Sequence, residues 1–203
     1  MRFVVFGAGG YSGEVADLVI SCGHEISGFV DDALPGVHHP TSLPIVRDAK
    51  DIDAEAATVA IGNGAARERF FMLGHADYSW PALIHPSACV SRSSVIGDGS
   101  QVMQNVVVNS AAHVGKNVIL NVGCVVAHDC RVDDHAHIAP GVLLSGGSTV
   151  GRRSFVGAGA VLLPGINVGA DCTVGAGAVV TRDVSDGSCV IGIPARPLIG
   201  TDR

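Results

Sequence analysis

Aliphatic side chains recur every six residues through most of the chain after residue 83. Stepping by six from Ile84 to Val180 gives 17 positions, and each of them is Val, Ile or Leu. The residue four places further on is small or β-branched in every repeat, from Ala88 to Val184. This period is typical of hexapeptide repeats, in which each repeat forms a short strand and a turn. The pattern predicts a parallel β-helix in which three repeats, about 18 residues, make one coil.

Residues 1 to about 80 lack this period and read as a small α/β unit. Strands are predicted at 3–6, 26–30 and 57–61, and helices after the first and third of them. A glycine loop, Gly7–Gly13, follows the first strand. Loop amides and a helix N-terminus can hold a phosphate, but Ser12 replaces the third glycine of the dinucleotide fingerprint. Phosphate binding and a merely tight turn therefore both remain open.

These patterns divide the chain into three parts. We predict an N-terminal Rossmann-like α/β domain at residues 1–82, a β-helix at 83–185 and a C-terminal cap at 186–203. The first part is only about half of a full dinucleotide-binding fold, so a mononucleotide or a sugar nucleotide fits it better than NAD.

Composition agrees with a turn-rich scaffold. The 203 residues include 27 glycines, and 47% are hydrophobic, which excludes a disordered chain. Glycine follows the aliphatic position in six repeats, among them Gly97 and Gly151, where we expect turns with a positive φ. Three of the six cysteines (Cys124, Cys130, Cys172) fall at small inward positions, and none forms a Cys-x-x-Cys pair, so we interpret them as packing residues.

Charge and hydropathy exclude several partners. The net charge is −6, and no basic cluster exceeds the pair Arg152–Arg153, which argues against a nucleic-acid surface. No apolar run approaches the length of a membrane span, and the N-terminus reaches a glycine loop before a signal-peptide core develops. The expectation is a cytoplasmic protein that contacts neither nucleic acid nor a membrane.

The histidines are the first candidates for chemistry. His128 occupies the third place of its repeat, which points it outward, and Asp129 follows it. An imidazole can take a proton near neutral pH, and a neighbouring carboxylate can fix its tautomer. An exposed surface pair is the alternative at this point. His24, His38, His39, His75 and His85 have no partner at a telling spacing and are interpreted as surface or satisfied core residues.

Three segments carry a resemblance to a known family. Residues 120–130 (LNVGCVVAHDC), 135–141 (HAHIAPG) and 190–197 (VIGIPARP) resemble bacterial hexapeptide-repeat sugar acetyltransferases. That family includes sialic acid O-acetyltransferases and UDP-4-amino-sugar N-acetyltransferases, and the similarity extends into the N-terminal unit. It implies a left-handed β-helix and a homotrimer that binds acetyl-CoA between subunits.

The resemblance also implies roles for individual residues. His128 would be the general base and Asp129, where relatives often have glutamate, its partner. Asn121 would contact the sugar, while His137 and Gly146 would contact acetyl-CoA near the thioester. Tyr11 stands where relatives commonly carry histidine, so its contact is the least secure. The positions matching a sugar-nucleotide site are Gly9, Gly10, Tyr11, Asp31, Asp32, Gly62, Asn63 and Arg67.

The favoured interpretation is therefore an acetyl-CoA-dependent transferase that acylates the amino group of a nucleotide-linked amino sugar, without a metal. Acetylation of a sugar hydroxyl, as in sialic acid O-acetylation, is the alternative within the family. A zinc lyase of the γ-carbonic-anhydrase type shares the prism, but His128, His135 and His137 lack the five-residue histidine spacing that it uses. A non-catalytic scaffold is the fourth interpretation. The sequence alone does not separate amine from hydroxyl acceptors, nor one nucleotide from another.

Overall fold

The N-terminal unit is a five-stranded sheet with two helices. We analysed a computed structural model, which describes residues 1–74 and 76–198; His75 and the end of the predicted cap lie outside the described residues. The elements are β1 (Arg2–Phe6), α1 (Ser12–Ser21), β2 (Glu25–Val30), β3 (Gly36–His38), β4 (Leu43–Val46), a 3-10 turn (Ala49–Asp51), β5 (Ala56–Val59) and α2 (Gly64–Leu73). The three predicted strands and both helices are confirmed.

Two further strands extend this sheet beyond the prediction. The strand order is β3-β4-β2-β1-β5, with β4 parallel to β2 and β3 antiparallel to β4. The hairpin of β3 and β4 was missed because its strands have three and four residues, and Gly36 and Pro44 are both disfavoured in strands. It encloses one side of the space above the glycine loop.

The rest of the chain is a parallel β-helix of very short strands. They are β6 (Leu83–Ile84), β7 (Cys89–Val90), β8 (Val95–Ile96), β9 (Gln101–Val102), β10 (Val107–Val108), β11 (His113–Val114), β12 (Ile119–Leu120), β13 (Val125–Val126), β14 (Arg131–Val132), β15 (His137–Ile138), β16 (Leu143–Leu144), β17 (Thr149–Val150), β18 (Phe155–Val156), β19 (Val161–Leu162), β20 (Asn167–Val168), β21 (Thr173–Val174), β22 (Val179–Val180), β23 (Cys189–Ile191) and β24 (Arg196–Pro197). They form three sheets, the faces of a prism.

The coil length is the predicted one until the last coil. Val107 pairs with Val125, and Val125 with Leu143, a step of 18 residues. Near the end, Thr173 pairs with Cys189, a step of 16, so the final coil is shorter. β23 still pairs in parallel, and only β24 reverses direction. The β-helix thus continues past residue 185, where the sequence pattern placed the start of the cap.

The periodic residues fill the prism as predicted. From Val102 to Val180 every aliphatic position is buried, and Cys124, Cys130 and Cys172 are buried beside them. Cys89 is exposed and Cys22 and Cys189 are half-buried, so packing explains only half of the cysteines fully. The same hydrophobic cluster includes residues of β1 and α1, so the α/β unit and the prism share one core.

The glycines after the aliphatic positions serve a different purpose from the predicted one. Gly97 and Gly151 do not adopt a positive φ; the left-handed position lies two residues later in the turn, as at Gly99. A Cβ on Gly97 would lie 2.5 Å from the carbonyl oxygen of Gly115 in the next coil, and one on Gly151 would lie 2.5 Å from the carbonyl carbon of Gly169. Glycine is needed there because successive coils approach backbone to backbone.

Candidate active site

His128 and Asp129 form a hydrogen-bonded pair on the turn between β13 and β14. The Nδ1 atom of His128 lies 2.8 Å from Oδ2 of Asp129. A carboxylate only accepts hydrogen bonds, so Nδ1 carries the proton and Nε2 keeps a free lone pair. Asp129 adopts the left-handed conformation, with φ of 59°, which asparagine and aspartate tolerate better than most residues. Both side chains are about two-thirds exposed, at 65% and 66%.

Gly146 lies one coil further along, against the imidazole of His128. A Cβ at Gly146 would lie 2.6 Å from both Cε1 and Nε2 of the ring, a distance that real contacts do not show. The φ of Gly146 is not positive, so its backbone does not require glycine. The same turn position in the repeats, from Pro86 to Arg182, holds glycine only here. Glycine at this position leaves the space that the ring of His128 fills.

His137 begins β15 and faces the N-terminal unit. Its Nδ1 atom lies 3.1 Å from the carbonyl oxygen of Gly62, an acceptor, so Nδ1 carries the proton. Nε2 is buried and makes no hydrogen bond within the described residues. Burial lowers the pKa of His137 to about 4, which keeps the ring neutral at physiological pH. The ring also packs edge-on against Phe155, with centroids 5.1 Å apart.

A cleft of about 570 Å³ opens beside His137, between the prism and the start of α2. Its walls include Gly62, Asn63 and His137, three of the residues singled out from the sequence. Asn63 caps α2, since its Oδ1 accepts a hydrogen bond from the Ala66 amide at 2.9 Å. The structure therefore brings together a predicted acetyl-CoA contact and two predicted sugar-nucleotide contacts.

The sheets separate His128 from His137 within the chain. β13, which precedes His128, belongs to one face of the prism, and β15, which contains His137, belongs to another. Asn121 directly follows β12, on the same face as β15; it is 7% exposed, and its Oδ1 accepts from the Val122 amide at 2.7 Å. The predicted catalytic pair and the predicted acetyl-CoA contact His137 thus do not meet in one protomer.

A second cavity, of about 510 Å³, lies over the glycine loop. Gly9, Gly10 and Ser12 form one wall, and His38 contributes to the side closed by β3. No atom lies within 4 Å of a Cβ built on Gly9 or Gly10, so these glycines border open space. The cavity therefore exposes the loop whose amides suit a phosphate.

Asp31 and Asp32 differ in their surroundings. The Asp31 carboxylate accepts hydrogen bonds from the amides of Ala8, Ala33 and Leu34 at 2.9, 3.0 and 3.2 Å. It therefore ties the glycine loop to the end of β2. Asp32 is exposed and makes no hydrogen bond within the described part of the chain, which leaves its carboxylate available to a ligand.

Tyr11 joins the α/β unit to the prism. Its hydroxyl donates to Oε1 of Gln101 at 3.0 Å, and the Gln101 amide nitrogen in turn donates to Thr58 and to the Val59 carbonyl, at 2.7 and 2.9 Å. Burial raises the pKa of the tyrosine hydroxyl, so it remains a donor. The side chain that replaces the usual histidine thus reaches into the prism.

Arg67 occupies a different place from the predicted one. Its side chain is fully buried, at 0% exposure. Nε donates to the Asn117 carbonyl, and the two terminal nitrogens donate to the carbonyls of Ile61, Gly62, His135 and Ala136. All five donors are therefore used, which leaves none for a nucleotide. The expected sugar-nucleotide contact is not present; Arg67 fastens α2 to the prism.

Comparison with known proteins agrees with both halves of this architecture. Family models match in three places: the PglD N-terminal domain at residues 2–73, the bacterial transferase hexapeptide (six repeats) at 111–146, and the hexapeptide repeat of succinyl-transferase at 148–182. No curated protein sequence matches the chain.

Solved structures match over the whole length. A variant of perosamine N-acetyltransferase from Caulobacter crescentus, in complex with CoA and GDP-perosamine, is 34% identical, with a TM-score of 0.92; the match covers 100% of this chain and 98% of that one. The chain belongs to the hexapeptide-repeat sugar acetyltransferases. The acetyltransferase domain of PglB from Neisseria gonorrhoeae FA1090 is 36% identical (TM-score 0.90, covering 97% and 99%), and WeeI from Acinetobacter baumannii AYE is 29% identical (TM-score 0.86, covering 98% and 100%).

Two structural searches add to this description of the acetyltransferase. Among residues 1–74 and 76–198, no group of three or more His, Cys, Asp or Glu side chains is arranged to hold a metal ion. No helix in that part of the chain combines the length and the apolar character needed to cross a membrane.

The contact between Gly146 and His128 gives a direct prediction for the acetyltransferase. Gly146→Ala should lower kcat by about 10²-fold, because a displacement of the reacting group by about 1 Å is costly at that scale. Steady-state kinetics would measure the loss, and thermal unfolding would show whether the coil stays intact. The double variant Gly146→Ala/His128→Asn should be no slower than His128→Asn alone, since the alanine acts through the ring. Additive losses would contradict this explanation.

Some of the site could not be found from the sequence. His38 was interpreted as a surface or satisfied core residue, yet it lines the cavity above the glycine loop and is 4% exposed. Its place depends on the β3–β4 hairpin, which the hydrophobic pattern did not reveal. The serine in place of the third fingerprint glycine was the available signal, since a buried hydroxyl needs a partner.

Proposed function

We propose that this acetyltransferase transfers the acetyl group of acetyl-CoA to the amino group of a nucleotide-linked amino sugar. The observation that carries the proposal is the full-length likeness, at 34% identity, to an N-acetyltransferase whose structure contains CoA and GDP-perosamine. The likeness spans both the α/β unit with its loop cavity and the prism with His128, so it supports a nucleotide-bound acceptor as well as the thioester donor.

His128 is the general base in this proposal. The sugar amine attacks the thioester carbonyl, and Nε2 of His128 takes the proton that the nitrogen loses on forming the new C–N bond. Asp129 holds the tautomer that leaves Nε2 free and stabilises the imidazolium. Collapse of the tetrahedral intermediate breaks the C–S bond, and the proton passes from the imidazolium to the departing CoA sulfur. The products are the N-acetyl sugar nucleotide and CoA.

The remaining predicted residues divide between the two substrates. We place the nucleotide in the cavity over Gly9 and Gly10, with Asp32 free to meet its ribose or base. Asn121 is proposed to contact the sugar. Gly146, next to His128, and His137, with its unpartnered Nε2, are proposed to contact acetyl-CoA.

The active site is proposed to lie between subunits of a homotrimer. His128 and His137 are on different faces of the prism, so one site that uses both requires a second copy of the chain. The exposure of the His128–Asp129 pair supports the same arrangement, because acyl transfer benefits from exclusion of water and a neighbouring subunit would supply it.

Release of CoA with a panel of acceptors tests the proposal. The panel contains GDP-perosamine, a UDP-4-amino sugar, a dTDP-amino sugar and CMP-linked sialic acid, each with acetyl-CoA, with the free thiol followed spectrophotometrically. We expect turnover with at least one nucleotide-linked amino sugar and a product heavier by one acetyl group. An alkali-stable product identifies an amide, whereas an alkali-labile one identifies an ester and favours sugar O-acetylation. Absence of CoA release with every acceptor would overturn the proposal.

A further inference from the structure

We infer that His38 is a positioning residue for the nucleotide cavity: a chain of hydrogen bonds from Thr41 through His38 and Ser12 to the Gly9 carbonyl holds the glycine loop in its binding shape. The ligand assigned to the cavity rests on the proposed function, whereas the hydrogen-bond chain does not.

The direction of each hydrogen bond follows from the donors available. The Ser12 hydroxyl donates its only hydrogen to the Gly9 carbonyl oxygen, at 2.6 Å. Nε2 of His38 lies 2.8 Å from the same hydroxyl oxygen, so Nε2 must be the donor. A neutral ring then has a lone pair on Nδ1, which accepts from the Thr41 hydroxyl at 2.9 Å. The chain therefore requires the tautomer of His38 that is protonated on Nε2.

The surroundings of His38 favour this neutral ring. The side chain is 4% exposed, and its ring stacks on Phe29 with centroids 3.8 Å apart. Burial, with a smaller contribution from His39, lowers the pKa of His38 below its ordinary value. A tight turn follows, in which the Ser42 amide donates to the His38 carbonyl at 2.7 Å and Ser42 has φ of 60°. This turn brings Thr41 back to the ring.

The chain ends on the one group of the loop that a phosphate should not meet. The Gly9 carbonyl oxygen accepts from the Ser12 amide at 2.9 Å and from the Ser12 hydroxyl. Both bonds turn the oxygen toward the start of α1. A phosphate binds N–H groups and is repelled by carbonyl oxygens, so fixing this oxygen favours an anion over the loop. A glycine at position 12, as in the dinucleotide fingerprint, would have no hydroxyl for this purpose.

The tautomer of His38 is the first test, and it needs no substrate. Long-range ¹H–¹⁵N correlation spectra of the full chain at pH 7 should show a protonated Nε2 and an unprotonated Nδ1 for His38, assigned by comparison with His38→Gln. A ring protonated on Nδ1 alone, or on both nitrogens, would overturn the inference.

The second test breaks the chain at the end remote from the cavity. Thr41 does not line the cavity, so Thr41→Val removes the donor to Nδ1 without touching a ligand. Loss of one hydrogen bond should raise the Kd for the nucleoside diphosphate that binds best, among GDP, UDP and dTDP, by about threefold to tenfold. Thr41→Ser retains the hydroxyl and should restore the affinity. With an active acceptor, KM for the sugar nucleotide should rise while KM for acetyl-CoA stays constant.

The outcomes separate this inference from the proposed function. Equal affinity in wild type and Thr41→Val overturns the inference even if acetyl transfer is observed. A weaker affinity that serine restores supports it even if no acceptor in the panel is acetylated. A wild-type protein that binds none of the three diphosphates overturns the inference whatever the activity screen gives.

Discussion

Replacing His128 with asparagine should lower kcat for acetyl transfer by about 10²-fold to 10⁴-fold, the usual contribution of a general base. The Nε2 lone pair is the proton acceptor in the proposed reaction, and the asparagine amide has no basic atom to take its place. KM values for both substrates should change much less, because the loss falls on the transition state. Steady-state kinetics with the best acceptor of the panel would measure the effect.

Two further variants define the role of the pair. Asp129→Asn leaves a side chain that can donate to Nδ1 and so favour the tautomer that blocks Nε2; kcat should fall here too, though less than for His128→Asn. His113 lies on the prism at an exposed strand start and has no partner within the described residues, so His113→Asn is the matched control and should retain activity. Full activity of His128→Asn would refute the general-base assignment.

Most of the prism could be predicted because its structure is local and repeated. Each aliphatic residue from Val102 to Val180 points inward for the same reason, so one period predicts the strands, the turns and the coil length. The prediction was incomplete where the repeat is not obeyed: the last coil loses two residues around Asp183–Asp186, and β23 then extends the prism past residue 185. A pattern based on a fixed step has no means of continuing through a shortened coil.

The contacts of the site were predictable only where they follow the coil. Gly146 lies 18 residues after His128, so the known period places it against the ring, and it is the only glycine at its turn position from Pro86 to Arg182. The chain from Thr41 to Gly9 depends on a hairpin with no periodic signal. Arg67 is a stronger case, since three of its acceptors lie 50 to 69 residues away and no sequence pattern links them.

Replacing Arg67 with methionine should destabilise the protein by about 3–5 kcal/mol, the upper range for a single substitution. Methionine fills a similar volume but donates no hydrogen bond, so five carbonyl oxygens in the junction between α2 and the prism lose a partner. Each buried acceptor left unsatisfied costs about 1–3 kcal/mol, and local relaxation with entry of water reduces the sum. Burial lowers the pKa of Arg67 to about 10, so the group is still charged at neutral pH and its full set of donors is present.

Denaturant unfolding followed by circular dichroism would measure the loss as a shift in the midpoint at constant slope. Arg69→Met is the matched control, because Arg69 lies on the same helix but is exposed; its free energy of unfolding should stay within about 0.5 kcal/mol of wild type. Arg67→Lys should fall between the two, since an ammonium group keeps the charge but has three donors for five acceptors. Equal stability of Arg67→Met and Arg69→Met would show that the buried guanidinium does not hold α2 against the prism.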